Sequence, residues 1–228
     1  MNKGIKYEID LFEKIKENFP ELVPLDFSPA GTNSNSPDLV LFVKGDAINI
    51  ELKMSKKAQF GGSSVSYVDN DYCFIRQYNI NEKEIVEKFK EKQEDFNKLL
   101  NFHNVNKIPF QTTKKLWIES RDLGLLKPLN FNINATADFI KQHYIEKNIN
   151  YIQIGGNGLF YFDNIKNLDI PEFNPETYLQ FRMIRSGSKL NKFQEKICNV
   201  SFRFQAKIKS FNQKSPINLE DESIIKIK

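Results

Sequence analysis

Three charged residues sit where a sheet should be apolar: Asp38, Glu51 and Lys53, within NSNSPDLVLFVKGDAINIELKMSKKAQFGG. In AINIELKM, Ile48, Ile50, Leu52 and Met54 alternate with Asn49, Glu51 and Lys53. A strand has period two, so Glu51 and Lys53 share a face, roughly 7 Å apart along the chain. If Gly45-Asp46 is a two-residue turn, Lys44 pairs with Ala47, Val40 faces Glu51 and Asp38 faces Lys53. Directly opposed residues share a face, so all three would converge. A three-residue turn without a bulge would send Asp38 to the other side.

Two close carboxylates repel, and without a cation one of them resists ionisation. A hard divalent ion removes the conflict. Mg²⁺ takes oxygen ligands, keeps several waters and typically uses one or two protein carboxylates beside a phosphate. Lys53, two residues from a ligand, could orient or deprotonate a water or hold a phosphate oxygen, all of which serve phosphodiester hydrolysis. The competing account is a solvated face bearing a salt-bridge ladder, which contributes little.

The elements that must position this group follow from the rest of the chain. GIKYEIDLFEKIKENF has Ile5, Ile9, Phe12, Ile15 and Phe19 at helical spacing and stops at Pro20. ELVPLDFSPA reads as a short strand and GTNSNS as a polar loop. Strands are expected over 38–43 and 47–54, and SKKAQFGGSSVSY as a loop. NEKEIVEKFKEKQEDFNKLLNF (81–102) reads as a helix capped by Asn81, with Ile85, Phe89, Phe96 and Leu99 on one stripe. KKLWIES reads as a strand and TADFIKQHYIEK as a helix. YIQIGGNGLFYF reads as a hairpin, with Asn157-Gly158 supplying the positive φ angles. VSFRFQAKIK reads as a strand. Strands mixed with helices at this spacing imply an α/β or α+β fold.

Pro37-Asp38, a 12-residue gap, then Glu51-Leu52-Lys53 resembles the PD-(D/E)xK nuclease signature, with the Asp opening one hairpin strand, Glu and Lys in the next, and an amphipathic helix upstream. The resemblance covers roughly residues 4–62. It implies a restriction endonuclease-like core, a central mixed sheet flanked by helices, and a Mg²⁺-dependent endonuclease in which Mn²⁺ substitutes. It further implies that Asp38 and Glu51 are metal ligands, together with the carbonyl of Leu52, and that Lys53 is catalytic. The family often adds an acid from the first helix. Glu8 is the candidate, Glu13 competes, and Asp10 is expected in solvent. The partner expected is double-stranded DNA, cut in the manner of a type II restriction enzyme. A structure-selective, resolvase-like phage nuclease and a noncatalytic nucleic-acid-binding module are the alternatives, and RNA stays open as substrate. A homodimer is admitted by analogy with two-strand cutters.

The whole chain sets the bounds. Its 228 residues are 40% apolar and 27% charged, as in globular proteins, with a net charge of +4. One domain over 1–228 is expected, with a catalytic core over 1–120 and a β-rich basic elaboration over 121–228. Between Phe181 and Ser215 nine basic residues face Glu195 alone, a local charge of +8. Arg182, Arg185, Lys189, Lys192, Arg203, Gln205 and Lys207 are the DNA-binding candidates, Arg203 and Gln205 as readers of base edges. Cys73 and Cys198 read as separate reduced thiols. With His103 and His143 they form no CxxC or HxxxH pair, so a zinc site is not expected. The N-terminus has no apolar signal core and no stretch is long enough to span a membrane, so a cytoplasmic location is expected. IGGNG lacks the Lys-Ser/Thr of a phosphate loop.

Overall fold

The computed structural model describes residues 3–29, 36–68, 71–74, 87, 90–91, 93–131 and 136–227. In chain order the elements are α1 (Lys3–Asn18), β1 (Leu39–Val43), β2 (Asp46–Lys53), β3 (Gly62–Val68), β4 (Asp71–Phe74), α2 (Gln93–Phe102), β5 (Lys107–Ile108), β6 (Phe110–Thr113), α3 (Lys114–Asp122), β7 (Leu129–Phe131), α4 (Thr136–Ile145), β8 (Tyr151–Ile154), β9 (Gly158–Tyr161), β10 (Glu176–Leu190) and β11 (Lys196–Ser210). Short 3₁₀ turns cover Pro20–Leu22 and Glu222–Ile227. The fold is mixed α and β with two sheets. Among the described residues no helix is long and apolar enough to cross a membrane.

The chain forms two compact units. The first comprises 1–58, 140–176 and 208–228, and the second 59–139 and 177–207.

The first unit holds a four-stranded sheet of order β1-β2-β8-β9. β1 and β2 form an antiparallel hairpin, β2 and β8 are parallel, and β8 and β9 are antiparallel. Parallel neighbours need a long crossover, and here residues 54–150 supply it. One face is aliphatic: Leu11, Phe12 and Ile15 of α1 pack with Leu39, Leu41, Ile48, Ile50, Leu52, Tyr151 and Leu159. The other face is aromatic. Phe160 lies 5.0 Å from Phe211, and Tyr144 of α4 stacks on Phe162 at 5.0 Å and 14°. Each apolar stripe thus has its own cover, as a sheet buried on both sides requires.

The hairpin turn is Lys44-Gly45, not Gly45-Asp46. Both residues have positive φ, 51° and 84°, the requirement of the tight turn that matches strand twist. Val43 pairs with Asp46 and Leu39 with Ile50. The register therefore differs by two from that expected, which brings Asp38 across from Glu51 rather than Lys53. A shift of two preserves the face, whereas a shift of one would have inverted it.

The second unit holds a sheet of order β4-β3-β11-β10-β7, with β5 on β3 and β6 on β11. Its core is aromatic: Phe96 meets Phe202 at 4.9 Å, Phe131 meets Phe181 at 5.1 Å and Phe139 meets Phe204 at 5.4 Å.

Several local expectations are corrected. KKLWIES is α3, because the Thr113 side chain accepts the Leu116 N–H at 3.2 Å and caps a helix there. Residues 62–68 are β3, held by β11. ELVPLDFSPA carries the end of the Pro20–Leu22 3₁₀ turn and, among its described residues, no strand. In the β8–β9 turn Gly156 and Gly158 carry the positive φ, and Asn157 does not. The helix over 81–102 is described at Gln93–Phe102, with Phe96 and Leu99 buried, while Asn81, Ile85 and Phe89 lie outside the described residues.

Candidate active site

β2 sets Glu51 and Lys53 on the aromatic face of the first unit's sheet, where Glu51 pairs in register with Ile152. The Lys53 ammonium forms an ion pair with Glu51 Oε1, and both side chains are largely buried. Asp38 stands one residue before the first ladder pair of the hairpin. Its Oδ2 accepts the backbone N–H of Leu52 at 2.9 Å. Asn49 and Lys53 give their carbonyls to Asn150 and Gly155 on the β8 side, so the peptide groups of Leu52, next in the alternation, face the β1 side. Where β1 no longer provides a neighbour, Asp38 takes the N–H and the Leu52 carbonyl faces the same edge.

Glu8 of α1 is half-buried and lies within electrostatic range of Lys53, Glu51 and Asp38. Its Oε2 is buried without a hydrogen-bond partner. Glu13 is exposed, and Asp10 is exposed and ion-paired to Lys6. Asp38, Glu51, Lys53 and Glu8 are thus brought together.

Sequence reasoning missed Tyr144. Its hydroxyl donates to Glu51 Oε1 at 3.3 Å, and Lys53 Nζ lies 5.9 Å from the centre of its ring. The signal was faint: in TADFIKQHYIEK, Ile140 and Tyr144 are four apart and lie on one buried side.

The electrostatics follow from crowding. Burial, and then the Glu51 charge, push the Asp38 carboxyl up to about 7, against the pull of Lys53 and the Leu52 N–H. Burial first, and Glu51 as well, also raise Glu8, with Lys53 opposing. Burial disfavours the Lys53 ammonium, but the Glu51 and Asp38 carboxylates more than offset this and hold it above the usual lysine range. Burial and the neighbouring Glu51 keep the Tyr144 phenol protonated. The site therefore has an excess of carboxylates, one fixed cation and one fixed neutral donor.

Among the described residues no three His, Cys, Asp or Glu side chains form a ready-made metal cage. An ion that needs only one or two carboxylates, a carbonyl and waters makes a smaller demand. The unpartnered Glu8 oxygen and the reluctance of Asp38 to ionise fit such an ion chemically.

The DNA-binding candidates all lie in the second unit. Arg185, Lys189, Lys192 and Arg203 are exposed, and Arg182 and Lys207 are partly buried. Gln205 is buried, and its Nε2 donates to Gln59 Oε1 at 2.8 Å. Phe202, Phe204 and Ala206 are buried as the alternation implied.

No family model, no curated protein and no solved structure matches this chain.

Proposed function

We propose that the protein is a Mg²⁺-dependent endonuclease that hydrolyses DNA phosphodiester bonds, built on a restriction endonuclease-like core and acting on double-stranded DNA in a sequence-specific manner. One observation carries the reading: Asp38, held on the Leu52 N–H beside the Glu51–Lys53 pair and within electrostatic range of Glu8, is pushed up to about 7, by burial first and by the Glu51 charge second. Such crowding is costly to a protein that gains nothing from it, and a divalent cation relieves it.

Asp38, Glu51 and the Leu52 carbonyl would hold the ion, with Glu8 assisting. Bound there, Mg²⁺ would supply a nucleophilic water at neutral pH and draw charge from the phosphoryl oxygens. Lys53, which its carboxylate neighbours hold protonated when no ion is present, would orient the attacking water and offset charge developing on phosphate. Tyr144, locked as a donor, fixes the Glu51 oxygen that Lys53 also holds.

The test is cleavage of plasmid, branched DNA and RNA with Mg²⁺, Mn²⁺ or EDTA, by the unaltered chain and by Asp38→Ala. Plasmid cutting that needs the ion and is lost in Asp38→Ala is the expected result. Cutting that persists in Asp38→Ala removes this site. Binding without any cutting by the unaltered chain replaces the enzyme with a nucleic-acid-binding module.

A further inference from the structure

The hairpin joining β10 and β11 carries a feature the catalytic reading does not use. Phe193 at its tip is 71% exposed, and Leu190 beside it is 56% exposed. A large aromatic ring left in water contributes nothing to folding, and a floppy loop would let it fold back. This loop is not floppy. The Asn191 Oδ1 accepts the backbone N–H groups of Phe193 and Glu195, both at 2.9 Å. Asn191 Nδ2 donates to the Glu195 carboxylate at 2.9 Å, and the Asn191 N–H donates to the Glu195 carbonyl at 2.9 Å. Gln194, at φ 62°, closes the turn with its N–H on the Asn191 carbonyl at 3.0 Å. The short Asn191 side chain thus staples the tip and presents Phe193 outward.

The flanks are basic. Arg185, Lys189, Lys192 and Lys196 are all exposed, and Glu195, the one acid in the sequence between Phe181 and Ser215, is tied to Asn191. Lys192 Nζ stands 5.0 Å from the centre of the Phe193 ring. A two-stranded ribbon fits a DNA groove, its lysines reach both phosphate walls, and an apolar side chain at the tip can enter between base steps.

We infer that the β10–β11 tip is a duplex-DNA wedge: Arg185, Lys189, Lys192 and Lys196 hold the backbone while Phe193 stacks on a base it partly unstacks. The partner comes from the reading above, but the wedge does not depend on the metal chemistry.

The experiment measures binding of the full-length chain in EDTA to a short duplex carrying 2-aminopurine, whose fluorescence rises when it is unstacked. The unaltered chain is expected to raise the signal. Phe193→Ala is expected to lose it and to bind about 5- to 100-fold more weakly, with the salt dependence unchanged. Phe193→Trp keeps the signal. Replacing Lys189, Lys192 and Lys196 by Ala is expected to lower the slope of log affinity against log salt by up to about 0.9 per lysine. Phe193→Ala binding as tightly as the unaltered chain overturns the wedge and leaves the nuclease. A chain that unstacks the probe through Phe193 but never cuts leaves the wedge and removes the nuclease. Phe193-dependent binding to phosphatidylglycerol vesicles, with none to the duplex, also overturns the wedge.

Discussion

The carboxylate of Asp38, one residue before the Leu39–Ile50 pair where the hairpin ladder ends, accepts the backbone N–H of Leu52 at 2.9 Å, so an acid takes the bond a strand neighbour would otherwise make. That bond holds the Asp38 carboxylate beside the Glu51 and Lys53 pair. It joins the two halves of the Pro37-Asp38 and Glu51-Leu52-Lys53 signature through the backbone of the residue between Glu51 and Lys53.

Asp38 makes stability depend on pH. Its folded value of about 7 lies above the ordinary 3.8. Between those limits the folded chain holds a proton that the unfolded chain has released, so stability falls as pH rises through that window. In EDTA the melting temperature is expected to drop from about pH 4 to pH 7, and in Asp38→Asn this drop is expected to shrink. Adding Mn²⁺ at pH 8 is expected to restore the melting temperature of the unaltered chain and leave Asp38→Asn unmoved. Apparent Mn²⁺ affinity is expected to rise with pH through about 7, because the ion must displace that proton. Calorimetry in two buffers of different ionisation enthalpy reads the proton release directly.

Lys53→Met separates binding from rate. The methionine is close in volume and removes the donor, so cleavage is expected to fall by about 10²- to 10³-fold. Duplex affinity in EDTA is expected to stay within about twofold, since one ammonium among many cations sets little of the total. A rate unchanged at saturating Mg²⁺ would remove Lys53 from the chemistry.

Tyr144→Phe deletes one hydroxyl and keeps the ring on Phe162. The lost bond to Glu51 is expected to lower unfolding stability by about 0.5–1.5 kcal/mol. Cleavage or metal affinity is expected to fall by about 10- to 100-fold, the usual cost of removing a group that orients a ligand. Urea denaturation and Mn²⁺ titration check the two effects independently. Equal loss of activity in Ile140→Val, which touches packing alone, would make the tyrosine merely structural.

Two adjacent glycines in the β8–β9 turn should respond differently. A Cβ on Gly155 would lie 2.3 Å from the Met54 carbonyl oxygen and 2.9 Å from its carbon, and backbone cannot swing aside. Gly155 also donates to the Lys53 carbonyl at 2.8 Å, so relief of the clash moves the end of β2. Gly155→Ala is expected to cost about 2–3 kcal/mol and to impair cleavage. Gly156 has open space and only its φ of 70° to strain, so Gly156→Ala is expected to cost about 1–2 kcal/mol and to spare activity. Denaturation midpoints and cleavage rates on the pair read this.

The sequence by itself determined that Glu51 and Lys53 share one side of β2. Period two sets Glu51 beside Lys53 whatever surrounds them, and the Asp38 face withstood a turn misplaced by one residue because the register moved by two. The helical spacing of α1 likewise pointed to Glu8 rather than Glu13, since residues along one turn fall on determined sides. Local pattern could not decide how β-prone segments would resolve. KKLWIES is helical because Thr113 caps it, and 62–68 is a strand because β11 lies beside it. Only the tertiary structure brought in Tyr144, 93 residues from Glu51, because such a contact is made by the parallel pairing of β2 with β8 and the helix laid over it, and no spacing rule spans that distance. It alone also set the charge balance of the site, since a carboxyl rises to about 7 by being buried beside other acids, and burial belongs to the folded chain.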